Sequence, residues 1–276
     1  MLIKLMYITN QPEIAKIAES AGVDRIFVDL EYIGKSDRQG GMDTVQSHHT
    51  IEDVKRIKQV LLSSELLVRV NPIHEASSEY SSSKEEIDQA IDAGADILML
   101  PFFKTVDEVR SFIEMVDGRA KVMPLLETPE AVEVVDDILE LAGLDEILIG
   151  LNDLSLGYQK KFMFELLIDG TVEKLCQKFK EKGIPYGFGG IAAIGMGAIP
   201  AEMVLKEHYR LGSERVILSR SFCNSEKVQN LDIVKEKFEL GIRALRAVEN
   251  EVSFHSQYFT DNFEKMKLAI EDFISK

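Results

Sequence analysis

Eight short apolar runs alternate with helical patterns along this chain, and that alternation limits the fold more than any other feature. The runs fall at residues 2–9, 25–30, 66–70, 97–100, 121–126, 146–149, 185–188 and 215–219. Helix signals lie between them. Pro12 opens the pattern over 12–21 and Gly22 ends it, as expected of proline at a helix start and glycine past its end. Thr50 with Asp53 three residues on opens a helix to about residue 62, and Thr105 with Glu108 has the form of a capping box. Gly94 ends a helix over 84–93, Pro129 and Pro200 start others, and Gly183 closes one over 170–182. The apolar runs show no polar face, as strands of a parallel sheet covered on both sides should not. Strict alternation of strand and helix favours a parallel sheet, and eight units favour closure into a (β/α)8 TIM barrel. A doubly wound open sheet is the alternative. The chain shows no repeat or low-complexity linker, so the expectation is one barrel domain over residues 1–276. Within it, 231–276 form a helical extension that packs on the barrel or on a neighbouring subunit.

Charge excludes some functions. The chain carries 32 basic and 47 acidic residues, a net charge of −15, which argues against nucleic acid as a partner because phosphate contacts need clustered Lys and Arg. No apolar run reaches the roughly 18 residues of a membrane helix, and residues 1–9 read as a strand and not as a signal peptide. Two cysteines, Cys176 and Cys223, do not indicate a disulfide scaffold, and a reducing cytoplasm is the expected compartment.

In such a barrel, chemistry sits at the C-terminal ends of the strands. Strand two ends in Asp29-Leu30-Glu31, strand three carries Arg69 and Asn71, strand five ends in Glu127 and strand six in Gly150-Leu151-Asn152-Asp153. Strand eight ends in Ser219-Arg220. Any one carboxylate in such a position can be a helix cap. Four charged groups converging on one mouth, Glu31, Arg69, Glu127 and Asp153, call for a different explanation. Crowded carboxylates repel, and a divalent cation relieves the repulsion. Two carboxylates completed by water and substrate oxygens suit Mg²⁺. Arg69 offers a planar donor fork to a substrate carboxylate or oxyanion. Backbone N–H groups of the Gly150–Asn152 turn and the Arg220 side chain are further candidates for anion binding.

These strand ends resemble the family of class II hydroxy-oxo-acid aldolases and citrate lyase β-subunits over roughly residues 23–219. The most specific segments are LLETPEA (125–131), IGLNDLSLG (149–157) and VRVN (68–71). The resemblance implies that Glu127 and Asp153 are metal ligands, that Mg²⁺ or Mn²⁺ is the cofactor, and that Arg69 contacts the substrate. It implies a carbon–carbon lyase, an aldolase, acting on a 2-oxo acid such as pyruvate through a metal-stabilised enolate. A homo-oligomer, trimer or hexamer, comes with it. Alternatives within the resemblance are an acyl-CoA or phosphoenolpyruvate-type lyase, and a barrel that binds metal and carboxylate without catalysis.

The chain departs from that pattern on strand two. In the aldolase branch a histidine follows the strand-two glutamate; here Tyr32 follows Glu31. Tyrosine, with an ordinary pKa of about 10, is a poor base at neutral pH. His48 or His49, at the end of the long polar stretch 31–49, is the candidate to replace the missing base, alongside Glu31 and Arg69. Lys35 and Arg38 in the same stretch are candidates to bind a phosphate or second carboxylate, and the 31–49 and 76–83 loops are the expected determinants of substrate choice. The glycines of 187–190 lack the spacing of a nucleotide loop. Cys223 has no histidine partner in sequence and is not read as a nucleophile.

Overall fold

The computed structural model describes residues 2–34, 49–224, 230–252 and 256–276. Eight parallel strands close into a barrel in chain order, β1 (Lys4–Ile8), β2 (Arg25–Asp29), β3 (Glu65–Arg69), β4 (Ile97–Leu100), β5 (Lys121–Leu126), β6 (Ile147–Ile149), β7 (Tyr186–Ile191) and β8 (Arg215–Leu218), with β8 pairing back to β1. The open-sheet alternative is excluded by that closure. Helices α1 (Pro12–Ala21), α2 (Ile51–Lys58), α3 (Ser83–Asp92) and α4 (Val106–Val116) follow the first four strands in turn. Thr50 and Thr105 form the capping boxes read from the sequence, and Ser82 with Glu85 forms a third.

Beyond β5 the helices are more broken than the sequence suggests. The segment from Pro129 splits into α5 (Pro129–Glu133) and α6 (Val135–Ile138). Two short helices, α7 (Leu151–Gly157) and α8 (Glu165–Ile168), precede α9 (Thr171–Lys182). Strand β7 runs on through Gly189 and Gly190, with an irregular register against β8 between Gly187 and Gly190. After α10 (Ala201–Leu211) come α11 (Leu231–Glu251) and α12 (Ser256–Ser275). Both pack on the chain's own barrel helices, α11 on α1 and α12 on α10. Glu249 fastens α11 by accepting from the Ile3 N–H at 2.9 Å and the Tyr209 hydroxyl at 2.8 Å, and Asn262 ties α12 to Glu207 at 3.1 Å.

Side chains alternate across each strand, and the register stacks the inward-facing ones into layers. Arg25, Phe27 and Asp29 of β2 lie opposite Glu65, Leu67 and Arg69 of β3. The middle layer is apolar, with Met6, Phe27, Leu67, Met99, Met123, Leu125 and Leu148 filling the interior. The layer at the N-terminal end is ionic. Arg25 grips Glu146 with two bonds of 2.6 Å and Glu65 with one of 2.8 Å, while Arg215 lies 2.9 Å from Glu146. The third layer, at the C-terminal end, holds Asp29 and Arg69. A separate and larger apolar core lies between the sheet and its helices.

His208, on α10, is wholly buried in that outer core. Its ring stacks on Phe188 at 3.8 Å, and Nδ1 meets the Ser213 hydroxyl at 2.7 Å. Burial pushes its pKa down to about 3. The folded protein therefore keeps His208 neutral while the unfolded chain takes up a proton below about pH 6.5, so this group's contribution to stability is present above that pH and lost as pH falls toward 3. Between pH 7.5 and 5.5 the wild type is expected to lose about 1.4 kcal/mol more unfolding free energy than His208→Phe. Urea denaturation at the two pH values measures this, and parallel losses in the two proteins would contradict it.

Candidate active site

The mouth is built from the strand ends upward. At the end of β3, Arg69 donates from Nε to Asp29 Oδ1 at 2.8 Å and from Nη2 to Asp29 Oδ2 at 2.7 Å. Its Nη1 lies 3.3 Å from Glu31 Oε2. Asp29 and Glu31 are buried, at 2% and 1% exposure. Burial works against the Arg69 charge, but Asp29 and Glu31 outweigh it and its pKa is raised. The guanidinium also stands over the Phe27 ring, 5.6 Å from its centre. Arg69 is thus a fixed cation with one edge held by Asp29. Asp29 was not singled out in the sequence, although its alternation with Phe27 places it on the inward face.

Glu127 follows β5 and is 3% exposed. It is not a helix cap. Thr128 caps α5 by accepting from the Ala131 N–H at 3.2 Å, while Glu127 Oε1 accepts from the Phe102 N–H at 3.0 Å across the β4 loop. Burial, then the charges of Asp153 and Glu31, push the Glu127 carboxyl well above its usual range, against the pull of Arg69 and the Phe102 amide. Phe102 delivers that amide from a left-handed backbone, φ 48°, a conformation that costs a bulky residue energy and that is found where surroundings enforce it. No sequence signal marked Phe102.

Asp153 lies in the first turn of α7, 9% exposed, where the helix dipole favours its charge. Gly150, the N-cap of α7, has an ordinary φ of −84°, so space explains the glycine. A Cβ there would come within 2.7 Å of Glu127 Cβ and Oε2. The expected role of its N–H as an anion donor is corrected, because that N–H donates to Leu126 O at 2.9 Å. Asn152 is half-buried beside Asp153, and its carbonyl accepts from the Ser155 hydroxyl at 2.7 Å.

The other expected residues are less central. His49 reaches the end of β2, where its Nδ1 accepts from the Asp29 N–H at 3.0 Å. His48, Lys35 and Arg38 lie outside the described residues. Arg220 lies on an exposed turn past β8. Tyr32 is 47% exposed, and burial, then the Glu86 charge, raises its phenol. Cys223 is buried and free, and burial raises its thiol, which accords with its not being read as a nucleophile.

Glu127 and Asp153 together line a cavity of about 410 Å³, with Phe102, Lys104, Pro129 and Leu156 among its other walls. Among the described residues no three His, Cys, Asp or Glu side chains are grouped to hold one ion. A cation held by this pair would complete its shell with water and ligand oxygens, the habit of Mg²⁺. Two hard oxygen donors that repel one another fit such an ion.

The Asp29–Arg69 pair is the structural keystone of the mouth. Asp29→Ala is expected to lower unfolding free energy by about 3 kcal/mol, because it strips a buried cation of its bidentate partner. Chemical denaturation measures the loss, and an unchanged midpoint would contradict the pairing.

The fold has known counterparts. An HpcH/HpaI aldolase from Desulfitobacterium hafniense DCB-2 superposes with a TM-score of 0.62 over 85% of this chain and 93% of its own, at 17% identity. An HpcH/HpaI aldolase/citrate lyase family protein from Burkholderia cenocepacia J2315 gives a TM-score of 0.61 over 85% and 95%, also at 17% identity. At that identity the likeness is one of fold. No curated protein matches the chain. The family model of HpcH/HpaI aldolase/citrate lyase matches residues 3–186, from the first strand into the seventh. With two thirds of its length matched, the chain belongs to the HpcH/HpaI aldolase/citrate lyase family.

Proposed function

We propose that this chain is a divalent-metal-dependent carbon–carbon lyase acting on a 2-oxo acid. The observation that carries the reading is the buried pair Glu127 and Asp153, lining one cavity at adjoining strand ends. Family membership supports the lyase chemistry. A divalent ion such as Mg²⁺ or Mn²⁺ would supply Lewis acidity there.

The side chains of this protein do the rest. Glu127 and Asp153 would hold the ion. The Phe102 amide fixes which way the Glu127 carboxylate faces. Arg69, anchored by Asp29, turns its remaining N–H bonds to the oxyanion, and an anchored donor needs no reorganisation as charge develops. Glu31, on the far side of the guanidinium, helps hold it in place. His49 accepts from the Asp29 amide at Nδ1, so its neutral ring carries the proton on Nε2, where it can donate a hydrogen bond but does not act as the expected base. Tyr32 stays protonated at neutral pH and takes no part as a base. Asn152 and Arg220 are secondary candidates for the substrate carboxylate. The expected homo-oligomer, trimer or hexamer, rests on the family resemblance.

Enolate formation tests the reading without knowledge of the second substrate. With Mg²⁺ in D₂O, the wild type is expected to exchange the methyl protons of pyruvate, followed by proton NMR. Asp153→Asn is expected to slow that exchange by at least about a hundredfold, and Arg69→Lys by a similar factor through the lost fork. Exchange that persists undiminished in Asp153→Asn would overturn the assignment. A wild type that binds Mg²⁺ but exchanges none of several 2-oxo acids would be a binding barrel and not a lyase.

A further inference from the structure

The cavity beside Glu127 and Asp153 is far larger than a three-carbon acid on a metal ion requires. Its walls come from three successive strand ends. Phe102 and Lys104 follow β4, Thr128, Pro129 and Glu130 follow β5, and Asp153, Leu156 and Gly157 belong to α7. Asp153 and Leu156 are three residues apart on one helix, so they share a face. The face that presents the carboxylate to an ion also presents a leucine side chain to whatever lies beside it, and Leu156 is 36% exposed. Phe102 and Pro129 add apolar lining, the Pro129 ring lying against Gly157 beside Leu156.

Charge decides what fits there. The lining holds three carboxylates, Glu127, Asp153 and Glu130, and one cation, Lys104. Lys104 is already committed, with Nζ 3.0 Å from Glu130 Oε1 and 5.5 Å from the centre of the Phe102 ring. A divalent ion on Glu127 and Asp153 brings the lining to neutrality, and the carboxylate of a 2-oxo acid makes it negative again. A second anionic group would enter a site with no uncommitted cation among the described lining residues.

We infer that this cavity receives the second carbonyl compound of the lyase reaction and selects an uncharged, apolar one, with Leu156 as a specificity-determining residue. The inference rests on the lyase reading above and deepens it. It disfavours phosphorylated or acyl-CoA partners at this site. It also moves the determinants of substrate choice away from the 76–83 loop, onto the segments after β4, β5 and β6.

Methyl NMR of leucine-labelled protein loaded with Mg²⁺ and oxalate tests this, with Leu156→Ala assigning the Leu156 signals. Benzaldehyde is expected to shift the Leu156 methyls and to saturate, while 4-formylbenzoate, the same ring with a carboxylate, binds at least about tenfold more weakly. In Leu156→Arg the order is expected to reverse, and the ratio of kcat/KM for the two aldehydes with pyruvate is expected to move the same way. Equal or tighter binding of 4-formylbenzoate to the wild type would overturn the inference, as would an unchanged ratio in Leu156→Arg. Pyruvate exchange without any Leu156 response sinks this inference and leaves the lyase reading standing. Absence of both exchange and Mg²⁺-dependent oxalate binding sinks the lyase reading and this inference with it.

Discussion

The register between β2 and β3 sets everything at the mouth of this barrel. Because side chains alternate across a strand, pairing Arg25 with Glu65 at one end also pairs Phe27 with Leu67 and Asp29 with Arg69. A slip of one residue would turn the whole inward set outward. The same register therefore builds an ionic layer at the N-terminal end, an apolar plug in the middle and a charged layer at the C-terminal end. The plug separates the two ionic layers, so the charges at the mouth answer to one another and to whatever binds there.

Charge crowding gives the mouth its chemistry. Arg69 stands between Asp29 and Glu31 and offsets only part of their combined charge, while Glu127 and Asp153 line a shared cavity beside them. A protein keeps such an arrangement against the cost of burying like charges only when something relieves it. The left-handed backbone at Phe102 and the missing Cβ at Gly150 are local costs of the same arrangement. One aims an amide at Glu127, and the other makes room for its carboxylate.

Much of this was legible in the residues. Alternating apolar runs and capping boxes place β2, β4, β5, α1 and α4 within a residue or so, because strand burial and cap hydrogen bonds are local effects written in adjacent residues. The placement of Glu127, Asp153 and Arg69 at the mouth was legible because each follows or ends an apolar run, and barrel chemistry collects at strand ends. The role of Asp29 was hidden in part: its pairing with Arg69 joins residues forty apart and depends on register. Phe102 was not legible, since no residue type announces a left-handed phenylalanine. The break between α5 and α6, and the short helix α7 that carries Asp153 and Leu156, also escaped, because seven residues are too few for a periodic pattern to show.

The central claim is that Glu127 and Asp153 hold a divalent cation that recruits a carboxylate ligand. Calorimetric titration of metal-free protein with Mn²⁺, and then with oxalate in its presence and absence, tests it most directly. One ion per chain, oxalate binding only when the ion is present, and loss of both in Glu127→Gln are the expected results. Oxalate binding of equal strength without metal, or Mn²⁺ binding that survives in Glu127→Gln and Asp153→Asn alike, would contradict it.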